Sequence, residues 1–177
     1  MRQIEANSHY PIDLRHLPEK WETAFVGDVI ADIQPGFACG AHNQEGVGVP
    51  HLRPMNVDRE GRLDLSLVKF VPPNNSLRVK KGDILFNSTN SPELIGKTTT
   101  VERKGEWAFS NHMTRLRPPR EISPRFVAHQ LHYRWGNWVF SSSMHSSRQP
   151  SEYRIENLGG NCAFSDSTHS RTTSHRR

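Results

Sequence analysis

Cysteine is almost missing from this chain: Cys39 and Cys162 are the only two in 177 residues. They stand far apart, with no C-x-x-C partner, which argues against a disulfide framework and suits a reducing cytosol. A zinc site from Cys39, His42 and His51 lacks the paired ligand spacing of known zinc motifs, so these histidines read as scattered surface residues. Long apolar runs are missing too. None approaches the roughly 18 residues that span a bilayer, and the opening MRQIEANSHYPIDLR has no apolar core of a secretory signal. With 34% hydrophobic residues and a mean hydropathy of −0.71, the chain reads as a polar, soluble protein. Its length suits one domain with a proper core.

Charge is mildly one-sided. The net charge is +5, but Ser165–Arg177 holds three arginines and one aspartate, leaving +3 for the remainder. Two local clusters stand out, Arg78 with Lys80 and Lys81, and Arg115 with Arg117 and Arg120. Either is compatible with a nucleic-acid partner or with a solvated face.

Residues 1–20 are polar, with Pro11 and Pro18, and read as a lead-in segment. From Trp21 the pattern turns globular. Val26, Val29, Ile30 and Ile33 follow helical spacing, with Pro35-Gly36 as the stop. Strands are then expected over Val49–Val57, at Leu63, Leu65 and Leu67, and at Leu77 and Val79. More follow at Ile84–Phe86, Thr98–Val101 and Trp107–Leu116, with turns at Asp58–Gly61, Lys81–Asp83 and Lys104-Gly105. A second helix is better punctuated. Ser123 can cap it, Pro124 fits its first position and Gly136 its end, with Val127, Leu131 and Trp135 as the buried stripe. After Phe164 no aliphatic or aromatic residue remains, so the tail is expected to be disordered.

The chemistry-bearing stretch is KKGDILFNSTNSPELIGKT, Lys80–Thr98, followed by FSNHMTRLRP, Phe109–Pro118. Three readings compete for it. Ser91–Thr98 approaches the phosphate loop G-x-x-x-x-G-K-[ST], but Ser91 replaces the first glycine and Pro92 removes an amide. Asp83 with Glu102 and Lys104 could form the carboxylate–lysine set of a small metal-dependent nuclease, although Glu102–Glu106 also fits a charged hairpin tip. A methyltransferase is excluded by the missing glycine-rich cofactor loop and by Val71-Pro72-Pro73-Asn74, which lacks the residues that clamp a flipped base.

DNA recognition is the third reading, and it rests on a resemblance. Leu17-Pro18, Trp21, Gly27-Asp28, Arg53, Asn56, Lys80–Leu85, Ile95-Gly96-Lys97, Asn111-His112 and Arg115–Arg117 stand in the order found in one family. Over about Leu17–Leu158 the chain resembles one target-recognition half of type I restriction–modification specificity subunits. The resemblance implies an α+β fold, the β-rich DNA methylase specificity domain with flanking short helices, occupying residues 21–158. It implies sequence-specific recognition of double-stranded DNA with no catalytic residue in this chain. Methyltransferase and restriction subunits would be the partners, and S-adenosylmethionine, ATP and magnesium would belong to them. Two such halves could also pair as a dimer, and the setting would be cytoplasmic.

Candidate DNA contacts are Arg53, Asn56, Lys80, Lys81, Asn87, Ser88, Thr89, Asn90, Lys97, Asn111, His112 and Arg115. Asparagine offers adenine a bidentate match, and Ser and Thr can serve bases or phosphates. Lys80, Lys81 and Lys97 fit phosphate contacts, which add affinity and salt dependence. The family pattern lapses at Gly159, where a Pro-x-Pro-Pro segment and a long helix are expected. Read one nucleotide downstream, the codons of Phe164–His169 can encode Phe-Pro-Ile-Pro-Pro. Residues 159–177 are therefore expected to be a frameshifted tail on a truncated recognition half.

Overall fold

A computed structural model describes residues 21, 23–30, 32–73, 77–89, 91, 93–136 and 154–156. The lead-in segment, Leu17-Pro18, Asn90 and the expected tail lie outside these residues. The elements are β1 (Thr23–Phe25), α1 (Val26–Val29), β2 (Asp32–Pro35), β3 (Val49–Leu52), a 3-10 turn (Pro54–Asn56) and β4 (Lys69–Val71). They continue with β5 (Ile84–Asn87), β6 (Thr98–Thr100), β7 (Ala108–Phe109), β8 (Met113–Arg117), α2 (Pro124–Gly136) and β9 (Arg154–Glu156).

The central sheet has four strands in the order β2-β8-β5-β6, and a second sheet has three, in the order β4-β3-β7. β1 pairs antiparallel with β9. Side chains alternate across a strand, and the central sheet uses both faces. Ile84, Phe86 and Leu116 pack with Val26, Ile30 and the α2 residues Val127, Ala128 and Leu131. Leu85 and Met113, on the opposite face, join Leu52, Val57, Val79, Val101, Trp107 and Phe109, which brings the smaller sheet against it. The result is helix, sheet, sheet, an α+β arrangement.

Helix α2 forms as its punctuation predicts. The Ser123 hydroxyl accepts the Phe126 amide at 3.4 Å, the Ser123 carbonyl accepts Val127 N–H at 3.2 Å, and Val127 and Leu131 are buried. The first helix does not run its predicted length. It stops after one turn at Val29, and Ile33 lies instead in β2, opposite Leu116 of β8. Ladder pairing with β8 outweighs the helical spacing of four apolar residues. The Trp107–Leu116 strand is likewise broken, because β7 and β8 belong to different sheets and residues 110–112 make the crossing. Leu63, Leu65 and Leu67 form no strand; only Leu63 is bridged, to Val57.

Charge fixes the central register. Asp32 and Arg117 are cross-strand partners in β2 and β8, and Asp83 precedes Ile84, which pairs with Leu116. The three residues thus form a row across the sheet. Arg117 donates to both Asp83 oxygens, at 2.6 and 2.8 Å, and to Asp32 at 3.1 Å. Arg115, two residues along on the same face, donates to Asp32 at 2.7 Å and to the Arg78 carbonyl at 3.0 Å. Hydrogen bonding to Asp83 raises the Arg117 pKa further above its ordinary value. Asp83 also accepts the Lys80 amide at 2.9 Å, closing a turn in which Gly82 takes φ +94°, a conformation that favours glycine.

Removing Asp83 takes two charge-assisted bonds from Arg117, which is partly exposed and keeps its bond to Asp32, so the cost is about 2–3 kcal/mol rather than that of an unpaired buried charge. Asp83→Ala should therefore lower stability by that amount in urea unfolding. Glu102→Ala breaks only an exposed 2.9 Å pair with Arg125 and should change stability by less than about 1 kcal/mol.

Candidate nucleic-acid interface

A cleft of about 690 Å³ is lined by Ala38, Cys39, Gly40, His42, His51, Arg53, Pro54, Met55, Leu94, Ser110, Asn111 and His112. No aspartate or glutamate is among them. It lies where the loop after β2, the turn after β3 and the β7–β8 crossing meet. Gly36 sets that closeness, since a Cβ there would collide with the Phe109 and Ser110 carbonyls. The turn at 110–112 is tied down by Asn111 N–H to the Phe37 carbonyl at 3.1 Å and by Ser88 N–H to the His112 carbonyl at 2.9 Å.

Five of the sequence candidates gather at this end of the central sheet. Arg53, Asn111 and His112 line the cleft. Thr89 is exposed beside them, its hydroxyl 2.8 Å from His112 Nδ1. Ser88 is half-buried, with its hydroxyl bonded to that of Thr114. The Arg53 guanidinium is braced by the Leu67 carbonyl at 3.0 Å.

Other candidates face inward. Asn56 is 1% exposed; its Oδ1 accepts Arg53 N–H and its Nδ2 donates to the Asp64 carbonyl, both at 2.9 Å. Asn87 is fully buried and donates to the carbonyls of Pro54 and Leu94 at 3.1 and 3.2 Å. Lys97 is buried as well. Its ammonium donates to the Val57 carbonyl at 3.0 Å and lies 5.1 Å from the Trp135 ring centre. Burial, helped by Arg59, lowers its pKa. Arg115 belongs to the ion-pair row. In this arrangement all four side chains serve architecture rather than a surface. The Arg115–Arg117 cluster is neutralised from within by Asp32 and Asp83, which its sequence neighbours did not reveal. Lys80 and Lys81 are exposed but lie before β5, separated from Ser88 and Thr89 by its four residues, about 13 Å of strand.

The same geometry disposes of the competing readings. Lys97 of the phosphate-loop match points into the interior. The loop's amides are already used, Leu94 and Ile95 by the Ser91 carbonyl, Gly96 by Asn87 and Lys97 by Leu94. For the nuclease, both Asp83 oxygens are held by Arg117 and Glu102 pairs with Arg125, so Asp83, Glu102 and Lys104 do not make a free ligand set. Among the described residues no group of three or more His, Cys, Asp or Glu is placed to hold a metal ion, and no helix is long and apolar enough to cross a membrane.

Sequence reasoning missed the centre of the cleft. His51 is not a surface histidine; it is 2% exposed, 3.0 Å from His42 Nε2 through Nδ1, with its ring 5.3 Å from that of Phe37. Burial, then His42 and Arg53, bring its pKa down to about 4 against the opposing pull of the Phe109 and Phe37 carbonyls. His42 is lowered by burial, Lys69 and Arg53. The charged residues acting on the two rings are thus all cationic. Strand alternation could not reveal its burial, because His51 and Leu52 point to opposite faces of β3 and both are buried.

His51 binds its proton more weakly folded than unfolded. Its contribution is complete above pH 6.5, is lost as pH falls from 6.5 toward 4, and saturates below. Full loss corresponds to about 3 kcal/mol. The urea midpoint should fall more steeply over this window in the wild type than in His51→Gln; parallel slopes would contradict the assignment.

No protein-family model matches the chain. It is 27% identical over 128 residues to the specificity subunit assigned to type I restriction enzyme MjaX of Methanocaldococcus jannaschii, covering 68% of this chain and 30% of that protein. To the StySPI type I restriction enzyme specificity subunit of Salmonella potsdam it is 29% identical over 120 residues, 64% of this chain and 26% of the other. The chain thus spans less than a third of these relatives. Among solved structures, the HsdS subunit of Thermoanaerobacter tengcongensis superposes with a TM-score of 0.59 at 18% identity, over 84% of this chain and 36% of that one. A structure from a study of type I R-M complex assembly gives 0.62 at 19%, over 84% and 37%. The type I S subunit of M. genitalium gives 0.56 at 16%, over 79% and 35%. The chain is therefore similar in sequence to type I specificity subunits over about two thirds of its length, and it shares the fold of their solved structures.

Proposed function

We propose that the chain recognises a specific sequence in double-stranded DNA as the targeting part of a type I restriction–modification system, and does no chemistry itself. The observation that carries this reading is the cleft. Its lining has no carboxylate, it brings Arg53 and three histidines together with Asn111 and Ser110, and Lys69 acts on it from beside. A duplex is a dense array of phosphates, so such a surface gains affinity by releasing counterions. Donors and acceptors on Asn111, Ser110 and His112 suit base edges, which carry the sequence information. The similarity to named specificity subunits supports the same reading.

Methylation and cleavage then belong to modification and restriction subunits, which carry S-adenosylmethionine, ATP and magnesium, in the cytoplasm. Pairing with a second half-subunit would supply a second recognition surface.

Selection from a random duplex library, followed by binding titrations at several salt concentrations, tests the reading. The purified chain should enrich one motif. Arg53→Ala should weaken binding and reduce the slope of log affinity against log salt by about one phosphate's worth, roughly 0.9. Asn111→Ala should leave that slope in place and relax preference at one position, by roughly 1–3 kcal/mol. Binding with neither motif nor salt dependence would refute the proposal.

A further inference from the structure

We infer that Met55 is a sequence-reading residue, making an apolar contact with the 5-methyl group of a thymine at the rim of the cleft. The inference rests on the DNA-recognition reading and goes beyond it in naming the side chain and its base.

The argument starts from how the 3-10 turn is held. Pro54, Asn56 and Val57 are buried, while Met55 between them is 48% exposed. Three buried polar side chains converge on this short segment. Asn87 donates to the Pro54 carbonyl at 3.1 Å and Lys97 to the Val57 carbonyl at 3.0 Å. Asn56 bonds Arg53 N–H and the Asp64 carbonyl, each at 2.9 Å, and Asp64 N–H returns to the Asn56 carbonyl at 2.8 Å. Burying an amide or an ammonium costs free energy unless its bonds are made, and here those bonds go to a turn whose one outward side chain is a methionine. The backbone of Met55 is therefore fixed from both sides and from beneath.

Position and chemistry supply the rest. Met55 lines the cleft next to Arg53 and across from Asn111 and His112, so its thioether would sit among groups suited to phosphates and base edges. In the major groove only thymine presents a methyl group, and apolar side chains read it by contact. A polarisable, unbranched side chain on a rigid turn can follow that surface closely.

Replacing thymine by deoxyuridine one position at a time removes only the methyl. On the motif selected by the wild-type chain, one such replacement should weaken wild-type binding by roughly three- to tenfold, the scale of one methyl-sized contact. The same replacement should leave Met55→Ala unaffected, and Met55→Leu should keep most of the sensitivity. Circular dichroism and urea unfolding of Met55→Ala should match the wild type, since the side chain is outside both cores. A selected motif without an A·T pair, or equal uridine sensitivity in the wild type and Met55→Ala, would overturn the inference while leaving DNA recognition standing. Loss of affinity in Met55→Ala that is indifferent to every methyl would also overturn it, in favour of a wedge between base steps. Failure of the wild-type chain to select any duplex would overturn the DNA reading itself, and this inference with it.

Discussion

The ion-pair row Asp32–Arg117–Asp83, with Arg115 beside it, is the constraint on which the rest of the structure depends. It crosses β2, β8 and the start of β5, three neighbouring strands of the four-stranded sheet, at one level. A slip of one residue in any of them would turn a charge toward the apolar face packed against α2. Hydrophobic pattern alone would resist such a slip weakly here, because both faces of the sheet are apolar. Charge gives the register a penalty that apolar alternation does not. The same register decides what emerges at the other end of these strands, where Ser88, Thr89 and the 110–112 turn meet the cleft.

A division of labour follows. The side chains that carry the family resemblance mostly turn inward: Asp83 to Arg117, Asn87 and Lys97 to the carbonyls of one turn, Arg115 to Asp32. What they hold in place is a rim made of other residues, among them Met55 and His42, together with Arg53, Asn111 and His112. The residues that carry the resemblance thus divide between the frame and the rim, where Arg53, Asn111 and His112 stand. Two chains with this frame and different rim residues would share a fold and differ in the surface of the cleft.

This also explains which parts were legible in the sequence. Helix α2 and strands β5 and β6 were readable because their signals are local: a cap at Ser123, a stripe at Val127 and Leu131, a Gly82 turn into three apolar residues. The α1 region was not, because Ile33 and its neighbours satisfy helical spacing and strand alternation alike, and a partner 83 residues away decides between them. The Trp107–Leu116 run concealed a change of sheet, since both halves are buried almost throughout and read as one continuous strand. Among the site residues, Arg53, Thr89, Asn111 and His112 fall together at the cleft, whereas Lys97, a candidate phosphate ligand, and Arg115, a candidate DNA contact, are internal. A basic side chain in sequence has no visible partner. Asp32 and the Val57 carbonyl are supplied only by the fold.

The cleft's electrostatics tie its interior to its rim. His51 stays neutral because burial and cationic neighbours make a proton there unfavourable, and His42 is lowered by the same surroundings. A neutral, buried ring can pack against Phe37 and support the floor of the cleft without adding to its charge. The positive potential then belongs to Arg53 and Lys69 at the edge, where a polyanion can reach it. Were His51 charged, the field would be stronger but the floor less stable, and the strand carrying His51 leads directly into the turn that presents Met55. Keeping the proton off His51 thus preserves both the shape of the rim and the placement of its charge.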